Sequence, residues 1–180
     1  MRPDWNHIIE QDWTLMLDRD GVINRQIVGG YVTRWEEFEF LPGVFEALVK
    51  FAQRFKYIFV VTNQQGVEKG LMTIEKLDEI HDRMCEEIER HGGRIDGLFV
   101  CTQLATEPGN LRKPNPQMAY TAKGLHPDMD LAKCLMIGDS PTDVEFGHNA
   151  GTYTIFLGPE HPTADDCFDS LFDFSQLLIS

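Results

Sequence analysis

Apolar positions along this chain keep two rhythms that take turns. "YIFVVT" (57–62) is an unbroken β-branched and aromatic run, the pattern of a strand buried on both faces. "PGVFEALVKFAQRF" (42–55) instead spaces Val44, Ala47, Leu48 and Phe51 along one helical face, with Pro42 near its start. The same alternation runs on either side. "WTLML" (13–17) is a short apolar run that ends in acid, and "TIEKLDEIHDRMCEEIER" (73–90) is an amphipathic helix that Thr73 can cap and Gly92-Gly93 can end. "GLFVC" (97–101) reads as a third strand and "PQMAYTAKGL" (116–125) as a helix ended by Gly124. A fourth strand, "KCLMIGD" (133–139), a short helix, "PTDVEFGHNAG" (141–151), and a fifth strand, "TYTIFL" (152–157), follow. The acidic tail predicts a last helix over about 170–179, capped by Ser170.

Strand and helix in strict alternation predict an α/β fold: a three-layer, Rossmann-like sandwich around a mainly parallel sheet, joined by right-handed crossovers. No linker or repeat interrupts the 180 residues, so one domain over 1–180 is expected, with its core at about 13–157. The connections leave no room for a separate cap domain.

Composition narrows the setting. At 42% apolar and 25% charged residues the chain is ordinary for a globular protein, and no apolar run approaches the roughly 18–20 residues that cross a bilayer. "MRPDWNHIIEQDW" lacks the apolar centre of a signal peptide, so a cytoplasmic protein with no membrane partner is expected. The formal charge of −13 opposes a polyanion, which argues against nucleic acid as partner. Cys85, Cys101, Cys134 and Cys167 lie far apart with no C-x-x-C pair, which fits buried free thiols better than a disulfide framework or zinc.

In an open parallel sheet the ligand site lies beyond the carboxyl ends of the strands. Four such ends carry chemistry here: Asp18 and Asp20, Thr62 and Asn63, Arg112 and Lys113 in the loop after the third strand, and Asp139 with Asp143. Each set taken singly is common loop or capping chemistry. Acids, a hydroxyl and cations delivered together to one edge form a site for a metal ion and a phosphate.

With these residues in view, the chain resembles the haloacid dehalogenase-like (HAD) phosphatases. "DRDGVIN" (18–24) matches their D-x-D-G motif, and "VVTNQQG" (60–66) resembles the second motif. Lys113 in "RKP" and "GDSPTD" (138–143) match the third and fourth. "LDRDGVIN", "GGYV" (29–32), "FEFLPGV" (38–44), "VVTNQQGV" (60–67) and "RKPNPQM" (112–118) resemble the subgroup that contains D-glycero-D-manno-heptose 1,7-bisphosphate and histidinol-phosphate phosphatases. Many heptose bisphosphatases carry a Cys/His zinc loop before R-K-P. Here "CTQLATEPGNLRKP" keeps Cys101 but adds no other Cys and no His, so no structural zinc is expected.

The resemblance implies a Mg2+-dependent phosphomonoesterase of carbohydrate metabolism acting through an aspartyl-phosphate. Asp18 would be the nucleophile and Asp20 the general acid and base. Asp18, Asp139 and the backbone carbonyl of Asp20 would hold the metal, with Asp143 as a secondary ligand or a solvent-facing helix acid. Thr62 and the amide of Asn63 would donate to phosphoryl oxygens, and Lys113 would neutralise Asp18 and the phosphate. Arg112 would grip the substrate beyond its reacting phosphate. Pro114 biases Lys113 towards an extended conformation at the start of the next helix. Gly21 would allow the tight turn after Asp20. Arg19 should point away from its acidic neighbours if the loop stays extended. Loops 26–35 and 102–111 would set specificity.

The expected substrate is a small sugar phosphate or bisphosphate, D-glycero-D-manno-heptose 1,7-bisphosphate first and histidinol phosphate second. A catalytically weak phosphate-binding relative and a polynucleotide 3′-phosphatase are the competing readings, and a monomer is compatible with the sequence.

Overall fold

The structure, a computed structural model, describes Trp5 and residues 12–178. Most of the N-terminal stretch read above for a leader, and the last two positions of the chain, lie outside those residues. Six strands form one sheet: β1 (Thr14–Leu17), β2 (Tyr57–Asn63), β3 (Gly97–Cys101), β4 (Cys134–Gly138), β5 (Tyr153–Leu157) and β6 (Asp166–Phe168). Their order is β3-β2-β1-β4-β5-β6 and every pairing is parallel. Five helices connect or follow them: α1 (Val44–Arg54), α2 (Ile74–Arg90), α3 (Gln117–Leu125), α4 (Pro141–Ala150) and α5 (Leu171–Ser175).

Because strand side chains alternate between faces, one sequence run supplies two cores. Leu15, Leu17, Ile58, Val60, Leu135 and Ile137 face α1, α2 and α5, where they meet Leu48, Phe51, Met84 and Phe174. Met16, Phe59, Val61, Cys134 and Met136 face the other way, against Met118, Ala122 and Phe146 of α3 and α4. Strands buried on both faces need the continuous apolar runs that the sequence shows, and the result is the expected three-layer sandwich.

Two expected caps are present: Thr73 Oγ1 accepts from Lys76 N at 3.3 Å and Ser170 Oγ from Asp173 N at 3.1 Å. Three details differ from the sequence reading. Gly124 lies inside α3 and does not end it; the chain leaves the helix at His126. The final helix is short, Leu171–Ser175, not a run over 170–179. β6 went unread because three residues, "DCF", carry no apolar period.

Between β1 and α1 the only regular element is a 3-10 turn at Trp35–Glu37, so no cap domain is inserted there. Strand order reverses direction between β1 and β4. Their carboxyl ends therefore splay apart into a crevice, and Asp18 N still reaches Ile137 O across it at 3.0 Å.

Candidate active site

β1 delivers Asp18 to this crevice, and the chain then turns sharply. Arg19 O accepts from the N–H groups of Val22, Ile23 and Asn24 at 3.3, 2.8 and 3.1 Å. Gly21 sits at φ +84°, and a Cβ there would fall 1.9 Å from Asp139 Oδ2, so the position requires glycine on both counts. The loop is thus not extended, and this corrects the expectation for Arg19. Its side chain folds back and is fully buried, with Nη2 donating to both Asp20 oxygens at 3.0 and 2.9 Å. Asn24 Nδ2 and Gln64 Nε2 add donors to the same carboxylate at 2.9 and 2.8 Å. Burial pushes the Asp20 pKa up, but Arg19 and these hydrogen bonds outweigh it and hold the carboxyl below its usual range.

At the end of β2, Gln64 also donates to Thr62 Oγ1 at 2.9 Å. A hydroxyl that accepts from an amide is left with its own O–H to donate. Asn63 spends its side chain on the backbone of Lys113: Nδ2 donates to Lys113 O at 3.2 Å, and Oδ1 accepts from Lys113 N at 3.0 Å. One N–H of the Asn63 side-chain amide is thus engaged, and its second N–H is left to serve as the amide donor expected of it.

Lys113 lies in a turn closed by Asn115 N to Arg112 O at 2.7 Å, with a cis peptide to Pro114, and α3 begins only at Gln117. Lys113 thus sits in a turn just ahead of the helix, whose start lies within one residue of the expected 116. Lys113 is 4% exposed, and its ammonium reaches Asp18 Oδ1 at 2.8 Å, Asp143 Oδ1 at 2.6 Å and Val61 O at 2.9 Å. Val61 O takes one N–H as a hydrogen bond, while Asp18 and Asp143 meet the ammonium as ion pairs, so Lys113 acts at this site chiefly through its charge. Burial disfavours that charge, yet Asp143 and Asp18 outweigh it and raise the pKa above the ordinary lysine value.

β4 supplies Asp139, and the first turn of α4 supplies Asp143. Ser140 and Asp143 form a capping box in which Asp143 Oδ2 accepts from Ser140 N at 3.1 Å. Asp143 is 0% exposed, which removes the solvent-facing reading. Asp18, Asp139 and Asp143 bring one carboxylate oxygen each within 4.8 Å of one another. That crowding and the burial show in their acidity. Asp139 is pushed up to about 6, by burial and then by Asp143. Asp18 is pushed up to about 7, by burial against the opposing pull of Lys113, with Asp143 adding to the rise. The side chain of Asp20 stands apart from this cluster, so its expected part as a ligand rests on its backbone carbonyl alone.

A cleft of about 480 Å³ opens over these groups, and Asp18, Asp20, Thr62, Asn63, Arg112, Lys113, Asp139 and Asp143 all line it. Its outer wall comes from the loop over 26–31, as expected, but not from 102–111. In place of the latter stand Gln65 and Lys69, which the sequence reading passed over. Gln65 Nε2 and Lys69 Nζ both donate to Tyr31 Oη, at 2.8 and 3.1 Å, tying the two segments together. Arg112 is half-buried, with Nη1 donating to Gln103 O at 3.2 Å. Cys101, the remnant of the zinc-loop pattern, is a buried free thiol 3.7 Å from Gln103 Oε1.

A HAD-hydrolase-like family model matches residues 110–167, the stretch from Lys113 through Asp143. Over 170 residues the chain is 41% identical to a D-glycero-α-D-manno-heptose-1,7-bisphosphate 7-phosphatase of Mycobacterium tuberculosis, covering 91% of this chain and 90% of that one. The chain belongs to the HAD-like phosphatases. A Campylobacter jejuni relative of the same name is 34% identical over 91% of this chain and 92% of its own. The crystal structure of the D,D-heptose 1,7-bisphosphate phosphatase of B. bronchiseptica, complexed with magnesium and phosphate, superposes with a TM-score of 0.82 at 27% identity, covering 91% of this chain and 96% of that one. As a HAD-like phosphatase the chain is an enzyme, and its four strand-end motifs converge on one cleft.

Proposed function

We propose that this HAD-like phosphatase is a Mg2+-dependent phosphomonoesterase that forms an aspartyl-phosphate on Asp18, with D-glycero-D-manno-heptose 1,7-bisphosphate as its substrate. The observation that carries the chemistry is the meeting of Asp18, Asp139 and Asp143 around Lys113 at the β1/β4 crevice. Three carboxylates so close are a hard-oxygen donor set suited to Mg2+, and their mutual repulsion is what a divalent cation would relieve. Asp18, Asp139 and the Asp20 carbonyl would hold the ion, with Asp143 beside them; when bound, it supplies charge neutralisation between carboxylate and phosphate.

An oxygen of Asp18 attacks phosphorus, the bond to the ester oxygen breaks, and that oxygen takes the proton carried by Asp20. Water, losing a proton to Asp20, then attacks the aspartyl-phosphate, and orthophosphate leaves as the phosphorus–Asp18 bond breaks. The ionised Asp20 that Arg19 favours is the form needed to activate water. An arriving phosphate dianion raises its affinity for the proton used in the first step. Thr62 Oγ1–H and the Asn63 N–H would bind phosphoryl oxygens, and the buried charge of Lys113 would balance the transferring group.

The names of the relatives support the bisphosphate, and so do the further cations in the cleft. Arg112 and Lys69 line it beyond the reacting centre, where a second phosphate would need them. Arg112→Ala is expected to lower kcat/KM on the bisphosphate about 10- to 100-fold, chiefly through KM, and only a few-fold on a monophosphate. Steady-state kinetics on both substrates check this.

The test of the function is phosphate release from both anomers of the heptose bisphosphate, histidinol phosphate and a 3′-phosphorylated oligonucleotide, with Mg2+ and with EDTA. Metal-dependent loss of the 7-phosphate, fastest for the bisphosphate, is the expected result. Faster release from histidinol phosphate would transfer the assignment to that substrate. No release by folded protein would favour the phosphate-binding relative.

Metal and proton compete for the same oxygens. Asp18 and Asp139 have folded pKa values raised above 3.8, so between that value and about 7 the metal-free folded state binds more protons than the unfolded chain. Their contribution to stability therefore falls as pH rises through that window. Mg2+ is expected to raise the melting temperature clearly at pH 8 and scarcely at pH 5, as read by thermal unfolding with the ion and with EDTA.

A further inference from the structure

We infer that His81, on α2, is a positioning residue that sets the direction of the Asp20 carboxyl through the buried guanidinium of Arg19. This rests on the proposed acid–base role of Asp20. His81 is 62 positions from Arg19 in sequence and is 3% exposed, yet its Nε2 lies 3.0 Å from Arg19 Nη1. A guanidinium has no acceptor, so Nε2 must accept and the ring proton must sit on Nδ1. Burial, reinforced by the Arg19 charge, pushes the His81 pKa down to about 3, which keeps the ring neutral and able to accept.

Arg19 is held on three sides. Nη1 is on His81, Nη2 forks onto both oxygens of Asp20, and the guanidinium carbon lies 5.9 Å over the ring of Phe38. Asn24 Nδ2 and Gln64 Nε2 each hold one oxygen of that carboxylate, whereas Arg19 Nη2 spans both, so the guanidinium is the donor that ties the two ends together. With the His81 acceptor gone, Nη1 is a buried donor without a partner, and the guanidinium can turn to find another. Asp20 then keeps its charge but loses its aim at the ester oxygen. Proton transfer depends on that geometry, so the cost should appear where the leaving group needs a proton and not elsewhere.

The experiment compares kcat/KM on the fastest sugar phosphate of the panel with kcat/KM on p-nitrophenyl phosphate, whose leaving group departs without protonation. His81→Phe, which keeps a ring but removes the acceptor, is expected to lose about ten-fold on the sugar phosphate and less than about two-fold on the aryl ester. His81→Gln, whose amide oxygen can accept at similar reach, should restore both to within about two-fold. His81→Met, also without a strong acceptor, repeats the measurement if Phe does not fold. An equal loss on both substrates, no loss on either, or failure of Gln to rescue would overturn the inference. Asp20→Asn separates the layers. If it discriminates between the two esters and His81→Phe does not, the relay alone fails; if Asp20→Asn does not discriminate, the acid role fails and takes the relay with it.

Discussion

Asp18→Asn is expected to abolish turnover, by at least about 10⁴-fold in kcat, while leaving the metal-free protein no less stable than the parent. The two halves have one cause. The Asp18 carboxyl lies in a desolvated pocket facing Asp143, and its pKa is pushed up to about 7 by burial despite Lys113. At pH 8 in EDTA the folded state must carry that charge at a cost, and an amide removes the cost. Lys113 keeps Asp143 as its partner at 2.6 Å. A nucleophile placed where its charge is uncomfortable trades stability for reactivity. Phosphate release together with thermal unfolding in EDTA checks the pair of outcomes. Residual turnover near the parent level would remove Asp18 as nucleophile, and a large drop in melting temperature would contradict the energetic argument.

Lys113→Met should be damaging on both counts. The ammonium closes contacts to Asp18, Asp143 and the Val61 carbonyl at 2.8, 2.6 and 2.9 Å with almost no exposure. A thioether of similar length fills the space and leaves the buried Asp143 and the half-buried Asp18 facing each other without a cation. Removing one partner from a buried ionic cluster costs about 3–5 kcal/mol. Because the Asp18 carboxyl, with its pKa pushed up to about 7, takes up a proton on acidification, the deficit should shrink at low pH and grow towards pH 8. Denaturant unfolding at the two pH values reads this. Activity should be lost with Mg2+ present, since among the described residues Lys113 is the side-chain cation paired with Asp18. A variant as stable as the parent at pH 8 would mean that the two acids find another way to share the site.

The contrast between these residues and Arg19 shows where a linear reading succeeds. Asp18, Thr62, Lys113 and Asp139 are legible because each follows a strand whose apolar run announces itself, and a parallel sheet sends all strand ends to one edge. The fold was legible for the same reason: side-chain alternation and helical period are local properties. Gln64 stood within the quoted run "VVTNQQG". Nothing in that run tells that its amide would bridge Asp20 and Thr62. His81 could have been noticed as a polar residue on the apolar stripe of α2, between Leu77 and Met84, but its partner could not.

By itself, then, the chain determined the order of strands and helices, the edge where the site forms and the chemical type of most of its groups, since these follow from short-range pattern and from residue chemistry. The tertiary structure alone decided that the loop after β1 folds back to bury Arg19 and that Asp143 faces Lys113 instead of solvent. It also decided that Gln65 and Lys69, and not 102–111, join Tyr31 in the outer wall of the cleft. Each depends on contacts between segments tens of residues apart, whose burial and hydrogen bonding are settled only when the layers of the sandwich close on one another.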